Sequence, residues 1–241
     1  MKKLLALSAV FITVALLFTS CQNPSGGSDD EDKMPGTWSS YSSVAFRDPT
    51  TKLWKRNGNV FTFECQNPEE LTQIEQNTYR SFWCSPIEKL CSGFKATVIK
   101  DSGFYPYADY GFVVNYSENA EGDPSFYSLE LSEDYFLINQ ILDGKRTILT
   151  QYESNGNTYA YKKSSSIKKE PAENEVSIYT DKKGTIIFNI NGDNIFTIEK
   201  PILKKGSCMP LGNISYENRI NNVPVKVTFK FEEFQNVEDY K

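Results

Sequence analysis

Paired carboxylates are the first residues here with chemistry to offer. Glycoside hydrolysis needs two, about 5–5.5 Å apart for retention of configuration and farther for inversion. Alternating positions of one strand would hold such a pair on a shared face. The only Glu-x-Asp in the body of the chain is Glu121-Gly122-Asp123, and Pro124 follows it. Glycine and proline make that a turn. Glu130 and Glu133-Asp134 flank a bend and do not share a strand face. These acids read as solvated turn residues. With no histidine in the 241 residues, there is no Ser–His or Cys–His nucleophile, no imidazole base and no His-containing zinc site.

A second chemistry is recognition by aromatic rings. The segment Gly103-Phe104-Tyr105-Pro106-Tyr107-Ala108-Asp109-Tyr110 gathers aromatics in a loop defined by its glycine and proline. Exposed Tyr105, Tyr107 and Tyr110 with Asp109 would suit glycan or protein contact, because tyrosine gives amphipathic area at low entropic cost. The competing reading has Phe104 and Tyr110 covering the edge of a sandwich. Asp101, Asp109, Asp123 and Asp143 are loop positions of the kind calcium uses, but they form no Asp-rich ligand run and the metal stays undetermined. No cofactor is implied. Lys162-Lys163 and Lys168-Lys169 bracket a serine run, and Glu170, Glu173 and Glu175 offset their charge. The formal net charge of −5 argues against duplex nucleic acid, whose binding needs a basic surface.

The five cysteines carry the third chemistry. Lys2 and Lys3 precede the apolar run Leu4 to Phe18, which falls short of the roughly 20 residues that span a bilayer and suits the core of a signal peptide. Phe18-Thr19-Ser20-Cys21 then leads into polar Gln22-Asn23-Pro24. This resembles a bacterial lipoprotein signal, although Phe18 stands where that family usually has leucine. The resemblance implies removal of residues 1–20, lipid on Cys21, and an extracytoplasmic address at the outer membrane or cell surface, with the membrane as partner through the anchor. Loss of Lys2 and Lys3 leaves 24 basic against 31 acidic residues, so the charge becomes −7. Outside the cytoplasm Cys65, Cys84, Cys91 and Cys208 are candidates for up to two disulfides, with three pairings open. Cys84 and Cys91 would close a short loop, and Cys65 with Cys208 would tie an early strand to a late one. Buried thiols are the alternative.

The elements that must position these groups follow from composition. Residues 21–36 hold Ser, Gly, Pro and the acidic run Asp29 to Asp32, and read as a disordered tether. Residues 37–241 read as one domain. Its dominant period is two: Val225, Val227, Phe229 and Phe231 alternate with Lys226, Thr228, Lys230 and Glu232, a strand with one buried face. Ile186, Phe188 and Ile190 alternate likewise, and Asn191-Gly192-Asp193-Asn194 joins that strand to Ile195 to Ile198, with Asn-Gly as the hairpin signal. Further strands are expected at Val60–Glu64, Phe94–Lys100, Tyr110–Tyr116, Phe126–Leu131, Phe136–Leu142, Lys145–Thr150 and Glu175–Thr180. Asn67 and Pro68 open one short helix ending near Thr78. About ten strands with one helix imply an all-β, antiparallel two-sheet β-sandwich.

Strand order and turn residues from about 94 to 234 resemble a concanavalin A-like jelly roll of the laminin-G type. The likeness rests on Tyr110 to Val114, Phe126 to Leu131, Tyr135 to Ile138, Lys145 to Tyr152, Ser165 to Ile167, Asn174 to Ile178 and Gly184 to Gly192. Pro201 to Gly212 resembles the glycine-bearing connection of that fold, and Val225 to Phe234 its closing strand. Such a fold hosts lectins, glycan-binding modules, glycosidases and adhesive domains. The expectation is a non-catalytic recognition module for a glycan or an envelope or host protein. A glycosidase-like enzyme or a structural subunit of an envelope complex is the alternative. Replacing Cys21 with Ser is expected to abolish incorporation of labelled palmitate in a bacterial host; labelling that persists would refute the lipid site.

Overall fold

The computed structural model describes residues 46–47, 53–70, 80–83, 90–103 and 110–236. Cys21, Cys84, Tyr105, Tyr107 and Asp109 lie outside these residues, together with the signal segment and the tether. The strands in chain order are β1 (Phe46–Arg47), β2 (Trp54–Asn57), β3 (Val60–Cys65), β4 (Arg80–Trp83), β5 (Leu90–Ser102) and β6 (Tyr110–Glu118). They continue with β7 (Pro124–Ser132), β8 (Tyr135–Leu142), β9 (Lys145–Ile148), β10 (Tyr152–Ser154), β11 (Asn157–Tyr159) and β12 (Lys162–Lys163). The last are β13 (Asn174–Thr180), β14 (Ile186–Ile190), β15 (Asp193–Ile198), β16 (Gly206–Ile214) and β17 (Val225–Asn236).

They form an antiparallel two-sheet β-sandwich of the jelly-roll type. One layer runs β8-β7-β6-β16-β4-β1, with β9 and β12 sharing the free edge of β8. Its β1–β4 pairing alone is parallel. The other layer runs β2-β3-β17-β5-β13-β14-β15, antiparallel throughout. The layers meet at a corner, where the start of β5 pairs with the start of β16 through Gly206 opposite Cys91. Strands β10 and β11 make a separate hairpin with Tyr152 stacked on Tyr159.

Alternation builds the layers. Val176, Ile178 and Thr180 of β13 are buried while Glu175, Ser177 and Tyr179 between them are not, the pattern of a strand with one face inward. Asn191 and Gly192 both take positive φ, 51° and 91°, which the two-residue hairpin turn expected there requires. The layers close on aromatic rings. Phe112 of β6 meets Phe94 at 4.9 Å, Phe229 at 5.4 Å and Phe231 at 5.8 Å between centroids, the last two edge-on. Edge-to-face pairs add about 0.5–1.5 kcal/mol each beyond area burial. A Cβ at Gly212 would strike the Phe63 ring, so that glycine lets a ring from the opposite layer sit against β16.

Three expectations need correction. Residues Pro201 to Gly212 are not a connection alone: Gly206–Ile214 is the nine-residue strand β16 at the centre of its layer. The expected Asn67 helix opens as a 3-10 turn, Pro68–Glu70, and residues 71–79 lie outside the described residues. The described α-helix is Tyr216–Ile220, capped by Ser215, whose hydroxyl accepts from the Asn218 N–H while the Asn218 side chain accepts from the Ser215 N–H. Last, Cys208 is bonded to Cys91 across 117 residues of chain, so neither the Cys65–Cys208 tie nor the Cys84–Cys91 loop forms. The physical reason is register: Cys91 and Cys208 sit at the corner where β5 pairs with β16, whereas Cys65 is buried at the end of β3 opposite Val225.

Closing so long a loop restricts the unfolded chain, and losing a native disulfide typically costs about 2–5 kcal/mol. Replacing Cys91 and Cys208 together by Ser is expected to lower the urea midpoint accordingly. An unchanged midpoint would show that the corner is held by strand pairing alone.

Candidate functional site

Of the sequence-predicted recognition residues, Tyr110 alone is described, and it corrects the expectation. It opens β6 facing inward, fully buried, with the Lys100 ammonium 5.6 Å from its ring centroid. It packs inside the sandwich, neither in an exposed platform nor as an edge cover, and Phe104 lies outside the described residues.

Under it lies a buried ionic centre. Lys100 continues the inward row Phe94, Ala96, Val98 of β5, and its Nζ stands 3.4 Å from Glu170. The two side chains are 1% and 4% exposed. Burial pushes the Glu170 carboxyl above its usual range, opposed by the Lys100 charge and the Glu133 main-chain N–H that donates to it. Glu170 therefore answers Lys100, not the loop lysines around it. Those have other partners: Lys169 lies 3.3 Å and Lys163 4.0 Å from Asp134, and Lys162 lies over the Phe196 ring.

Of the four loop aspartates, Asp123 and Asp143 converge on Asn119, whose Nδ2 donates to both, while Asp101 pairs with Lys226. Among the described residues no three acidic, cysteine or histidine side chains gather as a metal site would need.

The outward side of the β8-β7-β6-β16 layer carries a polar strip between apolar patches. Strand β7 turns Tyr127, Leu129 and Leu131 into the core, which leaves Phe126, Ser128, Glu130 and Ser132 on the other side. Ser128 Oγ donates to Glu130 Oε1 at 3.0 Å and Asn139 Nδ2 donates to the same oxygen at 2.6 Å. Arg146 Nε donates in turn to Asn139 Oδ1 at 2.8 Å. Val113, Met209 and Leu211 flank the strip on one side, Tyr135 and Leu137 on the other. Glu130 is thus oriented by a hydroxyl and an amide. Glu133 takes positive φ in the next turn, and Asp134 beyond it is claimed by two lysines.

The outward side of the other layer holds a groove of about 400 Å³ across β17, β5 and β13. One cross-strand row is Ser177, Lys95 and Glu233. The next is Tyr179, Gly93 and Gln235. A bulge in β17 between Phe231 and Glu233 creates this face. Simple alternation from buried Phe231 would turn Glu233 and Gln235 inward; the inserted residue reverses the parity, and Phe234 faces the core, stacked on Phe231 at 5.4 Å. A Cβ at Gly93 would collide with the backbone of Ile178 and Tyr179 and with Gln235 Oε1, so the glycine lets β5 and β13 approach closely beneath the Gln235 side chain. Gln235 closes its end, its amide accepting from Thr180 N–H at 3.1 Å and donating to Thr180 O at 3.2 Å. Lys95 lies 3.0 Å from Glu175 and 4.0 Å from Glu232, and the Glu175 hydrogen bond and charge hold its ammonium above the ordinary lysine range.

No protein-family model matches the chain, and no curated protein matches it. Solved structures do. The κ-carrageenase of Zobellia galactanivorans is similar with a TM-score of 0.50 at 8% identity, over 78% of this chain and 83% of that one. A prokaryotic β-1,3-1,4-glucanase (lichenase) derived from a mouse hindgut metagenome gives 0.48 at 8% identity, over 77% and 84%. Carbohydrate-binding module CBM66 from Bacillus subtilis gives 0.43 at 8% identity, over 76% and 89%. At 8% identity the likeness to the κ-carrageenase is one of fold.

The raised Glu170 pKa has a stability consequence with a definite sign. A carboxyl that binds its proton more tightly folded than unfolded contributes stability that is full below about pH 4.5, the ordinary value, and is lost as pH rises through the folded value. In paired urea titrations, wild type is expected to lose ground against Glu170→Gln as pH is raised from 4 to 7. A constant difference would contradict the burial of this charge.

Proposed function

We propose that this chain is a lipid-anchored extracytoplasmic module that recognises a glycan without cleaving it. The observation that carries the non-hydrolytic part is Glu130. It is the acid of β7 that faces the outward side of its layer, and its Oε1 is engaged by Ser128 and Asn139. The next acids along the chain lie in a turn, Asp134 bound to lysines. A hydrolase needs two carboxylates, one free to give a proton and the other to attack or to activate water. The strip supplies one carboxylate, already committed.

Glycan recognition is supported by the jelly-roll sandwich together with the outward β17-β5-β13 face, which sets a tyrosine ring beside hydroxyl, amide and charged groups. Anchoring is supported by the order of charge, apolar run and Cys21 in the sequence. Lipid at Cys21 and an acidic tether would hold the sandwich away from a membrane at the outer membrane or cell surface. In this role the partner is a polysaccharide, and the protein contributes affinity and location.

Two readouts on the mature protein in detergent test this. Affinity electrophoresis through gels containing neutral or acidic polysaccharides is expected to show retardation with at least one of them, and the same polymers are expected to gain no reducing ends on incubation. Release of reducing ends that is abolished by Glu130→Gln would overturn the reading in favour of a hydrolase.

A further inference from the structure

We infer that the groove lined by Lys95, Ser177, Tyr179 and Glu233 is the glycan site, and that it takes a neutral pyranose chain. This rests on the recognition role proposed above and adds the place and the ligand class. Its volume, about 400 Å³, falls within the roughly 300–1,000 Å³ of small-molecule sites. The half-buried Tyr179 ring offers an apolar surface for the C–H face of a sugar.

Farther along the same face, past Ser177, stands a donor and an acceptor in contact, Lys95 Nζ and Glu175 Oε2, 3.0 Å apart, within reach of the next residue of a sugar chain. Vicinal hydroxyls of a pyranose are spaced similarly, so one can accept from the ammonium while its neighbour donates to the carboxylate. Charge-assisted hydrogen bonds of this kind are the stronger ones. Ser177 and Glu233 extend the same row. Ser177 Oγ accepts from Asn189 at 3.3 Å, which leaves its proton to donate. The Gln235 amide is occupied by Thr180 and serves as wall.

Charge selects the ligand class. Glu175, Glu232 and Glu233 outnumber the ammonium groups of Lys95 and Lys230 that face them, so a uronate or sulfated polymer meets net repulsion. A basic peptide would find acceptors, but it would also meet Lys95 and would gain nothing from a ring platform framed by paired donor and acceptor. An uncharged sugar uses both members of the pair.

The experiment is affinity electrophoresis of the mature protein in detergent through gels of dextran, a soluble β-glucan or a mannan, with polygalacturonate and polylysine as charged probes. A neutral polysaccharide is expected to retard wild type, and Tyr179→Ala and Lys95→Met are each expected to weaken it roughly tenfold, the scale of one strong contact. Tyr179→Phe keeps the ring and is expected to bind as wild type. Lys95→Met alters a partly exposed side chain, so an unchanged melting curve separates loss of binding from loss of fold. Retardation by a neutral polymer that all variants share would place the site elsewhere and overturn this inference while the recognition role stands. Binding only to polygalacturonate would overturn the ligand class with that role intact. Binding only to polylysine, or to nothing, would overturn both.

Discussion

Phe112 is enclosed by Phe94, Phe229 and Phe231, rings that come from the opposite sheet, and everything else is arranged around that closure. A sheet with one apolar face must bury it, and these two bury theirs against each other. Gly212 lets Phe63 join the same interlock from the β3 side. The Cys91–Cys208 bond and the short β5–β16 pairing then turn the chain from one layer into the other. With the inner faces consumed, ligand chemistry is left to the outward faces, and these differ. One carries a polar strip wedged between apolar patches. The other carries open rows of rings and charges.

The same closure explains where the charges went. Lys100 follows an inward row on β5 and cannot reach water, so it is met by Glu170 from the loop before β13. Burying a charge is costly unless a partner comes with it. Beside that pair Asp134, itself nearly buried, is met by Lys163 and Lys169, whose side chains reach solvent. These residues secure a loop against the sandwich, and no part of the proposed recognition chemistry draws on them.

Much of the fold was legible because period-two alternation directly records a face: β13, β14 and the first half of β17 could be drawn from their apolar residues. The β14–β15 hairpin was legible for a different reason, since Asn191-Gly192 tolerates positive φ at both turn positions. Strand β16 was not legible. Its Gly206, Pro210 and Gly212 are the residues that normally argue against a central strand, and Gly212 is there because of a ring from the other layer, a constraint written elsewhere in the chain. The disulfide pairing was hidden for the same reason, because it depends on which strand ends meet. The groove was the least legible feature. Its residues lie near 93, 177 and 233, and only a bulge that reverses the parity of β17 brings Glu233 and Gln235 to the side of Lys95 and Tyr179. Alternation read without the bulge points them into the core. Tyr110 shows the converse error: an aromatic next to a glycine- and proline-bearing loop looks exposed in sequence and is fully buried in fact.

The central claim is that this sandwich holds an uncharged sugar on the outward face of its β17-β5-β13 strands. A crystal structure of the mature protein grown with a neutral oligosaccharide tests it most directly. One pyranose ring is expected on Tyr179, with vicinal hydroxyls of its neighbour in the chain on Lys95 and Glu175. A sugar seated instead on the Glu130–Asn139–Arg146 strip would contradict it.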